Sequence, residues 1–272
     1  MSQEAQRHEI TKKRVVYEIP GMDAVRIRRD VEYRVTEAGA LTMDLYDPPD
    51  AKSESLIPAV VFVGGYPDPG FQAMFGCKFK DMECYISWGQ LTAASGLAAI
   101  TYTTGEEPAA DIHPLLEYVR ENAASLGVDG NRIGIWACSG NVPNALSVLI
   151  QEDRDYLKCA VLCYGLMLDL DGATSVADAA RQWGFANPCE GKSVADLSQD
   201  IPLFIARAGQ DETPHLNETI DAFLSAALTR NLPITFVNHR SAPHAFDLMH
   251  DSETTRDIIR QILSFMRVHL RA

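Results

Sequence analysis

At 272 residues, with 46% hydrophobic and 22% charged side chains, the chain is long enough for one sizeable buried core and has the composition of an ordinary soluble globular protein. A formal net charge of −13, with lysine and arginine scattered, excludes a nucleic-acid surface, which needs clustered cations to meet phosphates. No stretch approaches a membrane span and the polar residues 1–14 hold no signal-peptide core, so a cytoplasmic protein that does not contact the membrane is expected.

No linker-like block divides the chain, which reads as a single domain over residues 1–272, with residues 1–24 as an N-terminal extension. Residues 31–35 and 41–46 alternate apolar and polar side chains around Glu37-Ala38-Gly39, the pattern of an antiparallel hairpin at a sheet edge. A polar loop leads to the continuous apolar run 57–63, a central strand that stops at Gly64-Gly65-Tyr66. Residues 85–95 read as helix and 97–102 as the next buried strand. Pro108 then opens a helix with Ile112, Leu115, Leu116 and Val119 three and four apart, closed by Gly127.

Residues 133–138 form another buried strand, ending at Ser139, and a helix follows just past Pro143. Strand, corner and helix describe a nucleophile elbow, a turn that holds a hydroxyl above the sheet. The pentapeptide is Ala137-Cys138-Ser139-Gly140-Asn141, so both glycines of the usual Gly-x-Ser-x-Gly are replaced. Two alternatives stay open: Ser139 as a simple helix cap, and Cys138 as the nucleophile in a shifted register.

The run 160–164 ends at Gly165, and residues 166–200 break the alternation as a lid or an irregular surface loop. The sheet resumes at 203–208. A helix over 219–229 turns Ile220, Phe223, Leu224 and Leu228 inward, 234–237 is a last strand, and Asp251 caps a final helix bearing Ile258, Ile262, Phe265 and Met266. Strands alternating with helices imply a mostly parallel sheet of about eight strands covered on both faces.

Functional groups of such a sheet collect at the C-terminal strand ends. Gly64-Gly65-Tyr66 offers backbone amides, Ser139 a hydroxyl, Gly209-Gln210-Asp211 a carboxylate and Pro243-His244 an imidazole, while His239 lies too near its strand and is expected to be packed or solvated. Asp211 reads equally as a turn or cap residue when taken alone. Serine, acid and base in that order, each ending a successive core strand, point together to nucleophilic acyl transfer.

On Val61-Phe62-Val63-Gly64-Gly65, Asp129-Gly130-Asn131-Arg132-Ile133-Gly134-Ile135-Trp136, Gly209-Gln210-Asp211 and Pro243-His244-Ala245-Phe246, residues 30–270 resemble a serine hydrolase of the α/β-hydrolase fold, near the dienelactone-hydrolase-like and small carboxylesterase branches. Val63 stands where that family commonly has histidine. The resemblance implies Ser139 as nucleophile, His244 as base and Asp211 as orienting acid. The Gly140 amide, with Gly65 and Tyr66, would form the oxyanion hole. Tyr66, Met167, Trp183 and Phe185 are the expected substrate-pocket residues, for small to medium carboxylic esters, although the same side chains read equally as core; peptides, thioesters and lactones use the same machinery. Six cysteines without a CxxC pair or zinc spacing read as small buried hydrophobes. Neither a metal nor an organic cofactor is expected. A hydrolase-fold protein that binds without turnover is the reading from another class, and homo-oligomerisation stays open.

Overall fold

Eight short runs rich in β-branched and aromatic residues pair into one sheet in the order β1-β2-β4-β3-β5-β6-β7-β8. The computed structural model describes residues 7–51, 55–151 and 155–271; residues 1–6 of the expected extension and 52–54 of the loop before the third strand lie outside them. The hairpin β1 (Arg26–Thr36) and β2 (Gly39–Asp47) forms the antiparallel edge. β2 pairs antiparallel with β4 (Ala98–Tyr102). From there β3 (Ile57–Phe62), β5 (Val128–Cys138), β6 (Leu157–Cys163), β7 (Leu203–Ala208) and β8 (Ile234–His239) run parallel.

Both faces of this sheet are apolar, so both need cover. On one, α3 (Pro108–Glu121), α5 (Val142–Ile150) and α7 (Leu216–Thr229) bury Ile112, Leu116, Leu146 and Phe223 in a core shared with inward residues of β3, β5 and β7. On the other, α2 (Glu83–Ala94) and α9 (Glu253–Arg271) bury Trp88, Leu91, Ile262 and Met266 against Phe62 and Trp136. Each such side chain contributes about 1.5–3 kcal/mol by leaving water. Among the described residues no helix is long and apolar enough to cross a membrane.

Several expectations differ from the fold. Residues 166–200, expected as a lid or an irregular surface loop, contain α6 (Ser175–Trp183) and a one-turn 3-10 helix, Val194–Asp196. A helix absent from the sequence reading, α1 (Asp68–Phe75), follows β3 and ends at Gly76 in the left-handed conformation. α3 stops at Glu121, and the short α4 (Ala123–Leu126) is what Gly127 closes. Leu228 is exposed rather than inward, because Ala227 takes the core-facing position. Ser252, not Asp251, caps α9: its Oγ accepts the Thr255 amide at 3.2 Å, while Asp251 pairs with Arg256. Among the described residues of the extension, the Val16 amide donates to the Asp247 carbonyl at 2.8 Å.

Candidate active site

Chain direction places the carboxyl ends of β3, β5, β6, β7 and β8 along one rim. Ser139 leaves β5 with φ of 55°, a left-handed conformation that costs a non-glycine residue of order 1–3 kcal/mol. A one-turn 3-10 helix, Ser139–Asn141, then runs directly into α5. The corner aims the hydroxyl at the loop after β8: Ser139 Oγ lies 2.9 Å from His244 Nε2. His244 Nδ1 lies 2.6 Å from Asp211 Oδ2, on the loop after β7. Three residues up to 105 positions apart thus share one hydrogen-bonded line. The strands are not strictly successive, since β6 intervenes; Tyr164 at its end packs edge-on against His244, ring centres 5.1 Å apart.

The Asp211 side chain is shielded from solvent. Burial pushes its pKa up, but the His244 contact and the Thr213 amide outweigh that and hold it below the ordinary carboxylate value. It therefore stays ionised and accepts the Nδ1 proton, which leaves Nε2 as the acceptor facing Ser139. A hydroxyl so placed can be deprotonated as it attacks.

Cys138 is placed differently. Its Sγ contacts Tyr85 Oη at 3.9 Å and Asn141 Nδ2 at 3.8 Å rather than the imidazole, and burial pushes the thiol up to about 12. A protonated thiol away from a base is a poor nucleophile. His239 is packed, 1% exposed, with Nε2 at 2.9 Å from Thr255 Oγ1.

The turn after β3 approaches the elbow closely. A Cβ on Gly65 would lie 2.9 Å from the Asn141 Cα, and one on Gly140 would lie 2.5 Å from the Tyr66 hydroxyl and 2.8 Å from Phe185. Gly65, crowded by backbone, therefore requires glycine, and a side chain at 140 would have to displace Tyr66 and Phe185. The Gly65 amide, expected at the oxyanion hole, instead donates to Asn141 Oδ1 at 2.7 Å, which removes it as a free donor. The Tyr66 amide has no acceptor among the described residues, and the Gly140 amide belongs to a first helical turn, whose donors lack intrahelical partners.

Asp68 and Thr104 hold that turn from below. Asp68 accepts the amides of Phe79 (2.7 Å) and Thr104 (2.9 Å), and Thr104 Oγ1 donates to the Tyr66 carbonyl at 2.7 Å. Burial drives the Asp68 carboxyl up to about 6. With a folded pKa above its unfolded value, this group's contribution to stability is fully present below about pH 4 and lost as pH rises through about 6. About two pKa units correspond to roughly 3 kcal/mol. Relative to wild type, Asp68→Asn should therefore gain roughly that much between about pH 4 and about pH 6.5 in denaturant titrations; a pH-independent difference would contradict the burial argument.

A cavity of about 660 Å³ opens beside Ser139 and His244. Tyr66, Phe71, Phe75, Phe79, Tyr85 and Leu248 give it apolar walls, and no Asp, Glu, Lys or Arg lines it among the described residues. Of the four expected pocket residues, Tyr66 and Trp183 line it. Phe185 sits behind, edge-on to Tyr66 at 5.8 Å between ring centres. Met167 is wholly buried in the core under α7, its amide 3.2 Å from Thr219 Oγ1, and does not reach the cavity. The sequence reading missed α1, although Phe71, Met74 and Phe75 fall at helical spacing between Pro67 and Gly76, a detectable signal. It also missed Asp247, which accepts Trp88 Nε1 at 2.7 Å and the Tyr164 hydroxyl at 2.5 Å and so braces the ring that packs on His244.

No family model and no curated protein matches the chain. Solved structures do. A thermophilic esterase of the planctomycete Thermogutta terrifontis, with propionate bound, is 19% identical over 91% of this chain and 96% of that one, at a TM-score of 0.64. MGS-M1, an α/β-hydrolase enzyme from a Medee basin deep-sea metagenome library, is 16% identical over 91% and 99%, at 0.62. A mutant of the esterase rPPE is 15% identical over 99% and 90%, at 0.68. The Thermogutta terrifontis esterase is also seen phosphorylated by paraoxon. The chain has the α/β-hydrolase fold.

Proposed function

We propose that the protein is a serine carboxylesterase with Ser139 as nucleophile, His244 as general base and acid, and Asp211 as the group that orients the imidazole. The observation that carries this is the unbroken line from Asp211 through His244 to the Ser139 hydroxyl at 2.6 and 2.9 Å. His244 takes the Ser139 proton as Oγ bonds to the ester carbonyl carbon, and the carbonyl oxygen becomes an oxyanion. Collapse expels the alcohol, which receives that proton from His244. Water, deprotonated by the same imidazole, then attacks the acyl-serine ester and releases the carboxylic acid, returning the proton to Ser139. The amides of Tyr66 and Gly140 are the oxyanion donors, each worth about 10²–10³ in kcat by analogy with other oxyanion holes.

The cavity supports a neutral, apolar ester of small to medium size, since a free carboxylate would meet no cation on its walls. The fold that the chain shares with esterases, one of them holding propionate and reacting with paraoxon, supports the same reading. Purified protein should hydrolyse nitrophenyl esters with rates rising from acetate to about the hexanoate and falling for the longest chains. A nitrophenyl hemisuccinate should have kcat/KM lower than the butyrate by about 100-fold. Added methanol should divert a constant fraction of the acyl group to methyl ester whatever the leaving group, as a shared acyl-enzyme requires. Absence of turnover across the panel would overturn the esterase reading; a preference for palmitate would overturn the size limit.

A further inference from the structure

The second replaced glycine of the elbow pentapeptide, Asn141, is 2% exposed and fully engaged. Its Oδ1 accepts the Gly65 amide at 2.7 Å, and its Nδ2 donates to Tyr85 Oη at 3.0 Å. The Gly65 amide can only donate, so the oxygen must face it, and the amide orientation follows from the network. One carboxamide thus joins three separate parts of the fold: the elbow, the turn after β3 and the first helical turn of α2. We propose that Asn141 is a positioning residue for the oxyanion site, tying the two backbone segments whose amides receive the developing charge.

The tether adds a bond at the centre of the turn, between contacts that hold it on either side. Before it, the Val63 amide bonds to the Trp136 carbonyl at 2.9 Å and Asn144 Nδ2 donates to the Gly64 carbonyl at 2.7 Å. At Gly65 the carbonyl accepts from the Ala186 amide at 2.7 Å and the N–H goes to Asn141, so both groups of that residue are committed. The next peptide carries the Tyr66 amide. Its direction is set by the Gly65 backbone, a residue with little conformational restraint of its own. Removing the carboxamide leaves the Gly65 N–H unpaired and breaks the direct link between the turn and the elbow, so the Tyr66 and Gly140 amides lose part of their common aim. Preorganised donors stabilise a transition state only while fixed.

This inference rests on the esterase reading and makes a prediction opposite to what restoring the common motif suggests. Asn141→Gly, which recreates the usual glycine, should lower kcat about 10- to 100-fold with KM changed less than about threefold, as expected when one donor is misaimed rather than lost. Affinity for a trifluoromethyl ketone, whose adduct mimics the tetrahedral state, should fall in parallel with kcat/KM. Asn141→Ala should lose as much as Asn141→Gly, since the carboxamide and not backbone stiffness is at issue. Rates are taken per site titrated by a fluorophosphonate, which removes any loss of folded protein. Variants as active per site as wild type, or a loss confined to thermal stability, would overturn the tether and leave the esterase reading standing; a wild type without turnover would overturn the reading itself.

A measurement on the unaltered protein covers the case in which neither variant folds. In amide NMR spectra, binding of the ketone should move the Tyr66 and Gly140 N–H resonances downfield and leave that of Gly65 nearly still. A large downfield shift at Gly65 would make it an oxyanion donor and contradict its commitment to Asn141.

Discussion

Ser139→Ala should reduce kcat for nitrophenyl hexanoate by on the order of 10³ or more, with the thermal midpoint within a few degrees of wild type. The two halves of this result come from different features. Turnover depends on a hydroxyl 2.9 Å from His244 Nε2, and alanine offers no atom for the imidazole to deprotonate. Stability depends on the buried β5, whose Ile133, Ile135 and Ala137 are wholly inside and untouched by the change. The left-handed backbone at 139 is strained for serine and alanine alike, so the substitution neither adds nor relieves that cost. Ester binding should also persist, because the aromatic walls of the cavity are unchanged. A variant within about tenfold of wild type would show that another group carries the chemistry.

Asp211→Asn is the second large effect, a loss on the order of 10⁴ in kcat near neutral pH, as in other triads with an amide in place of the acid. Asp211 Oδ2 accepts the His244 Nδ1 proton at 2.6 Å. An asparagine can instead donate its Nδ2 hydrogens to Nδ1, which places the ring proton on Nε2, facing a serine it can no longer deprotonate. The substitution removes a charge as well, so the imidazolium formed during attack loses its counterion. Glu212, exposed and next in sequence, serves as control: Glu212→Gln should stay within about twofold of wild type. The Asp211 pKa lies below the ordinary carboxylate value, so its contribution to stability is present above about pH 4 and is lost only as pH falls through that depressed value. Loss of activity at milder acidity must therefore come from another group.

The alternation of apolar runs with helical spacing made the sheet and its covering helices legible, because β3 to β7 are largely buried and each long helix keeps a stripe at three and four residues. The rim residues were legible for a related reason: strand ends in such sheets converge, so a serine, an aspartate and a histidine following strands could be singled out without coordinates. What escaped depends on partners remote in sequence. Met167, wholly buried, and Trp183, at the cavity rim, both follow β6, and only the packing of α6 and α7 sends one inward and the other to the cavity. Asn141 stands in the sequence only as a replaced glycine, and its engagement with Gly65 and Tyr85 lies 76 and 56 residues away. Leu228 fitted the inward stripe of α7 until the small Ala227 was found to occupy it. Asp247 carries no local signal of its role, and only the approach of Trp88 and Tyr164 from other elements buries it.

The central claim, that the Ser139 oxygen is the activated nucleophile, is tested most directly by a covalent adduct. Treated with an equimolar amount of paraoxon, the intact protein should gain a single diethylphosphoryl group, release one nitrophenolate, and carry the added mass on Ser139 in the peptide spanning β5 and α5. Phosphorylation at Cys138 or another residue, or a folded protein that takes up none, would contradict it.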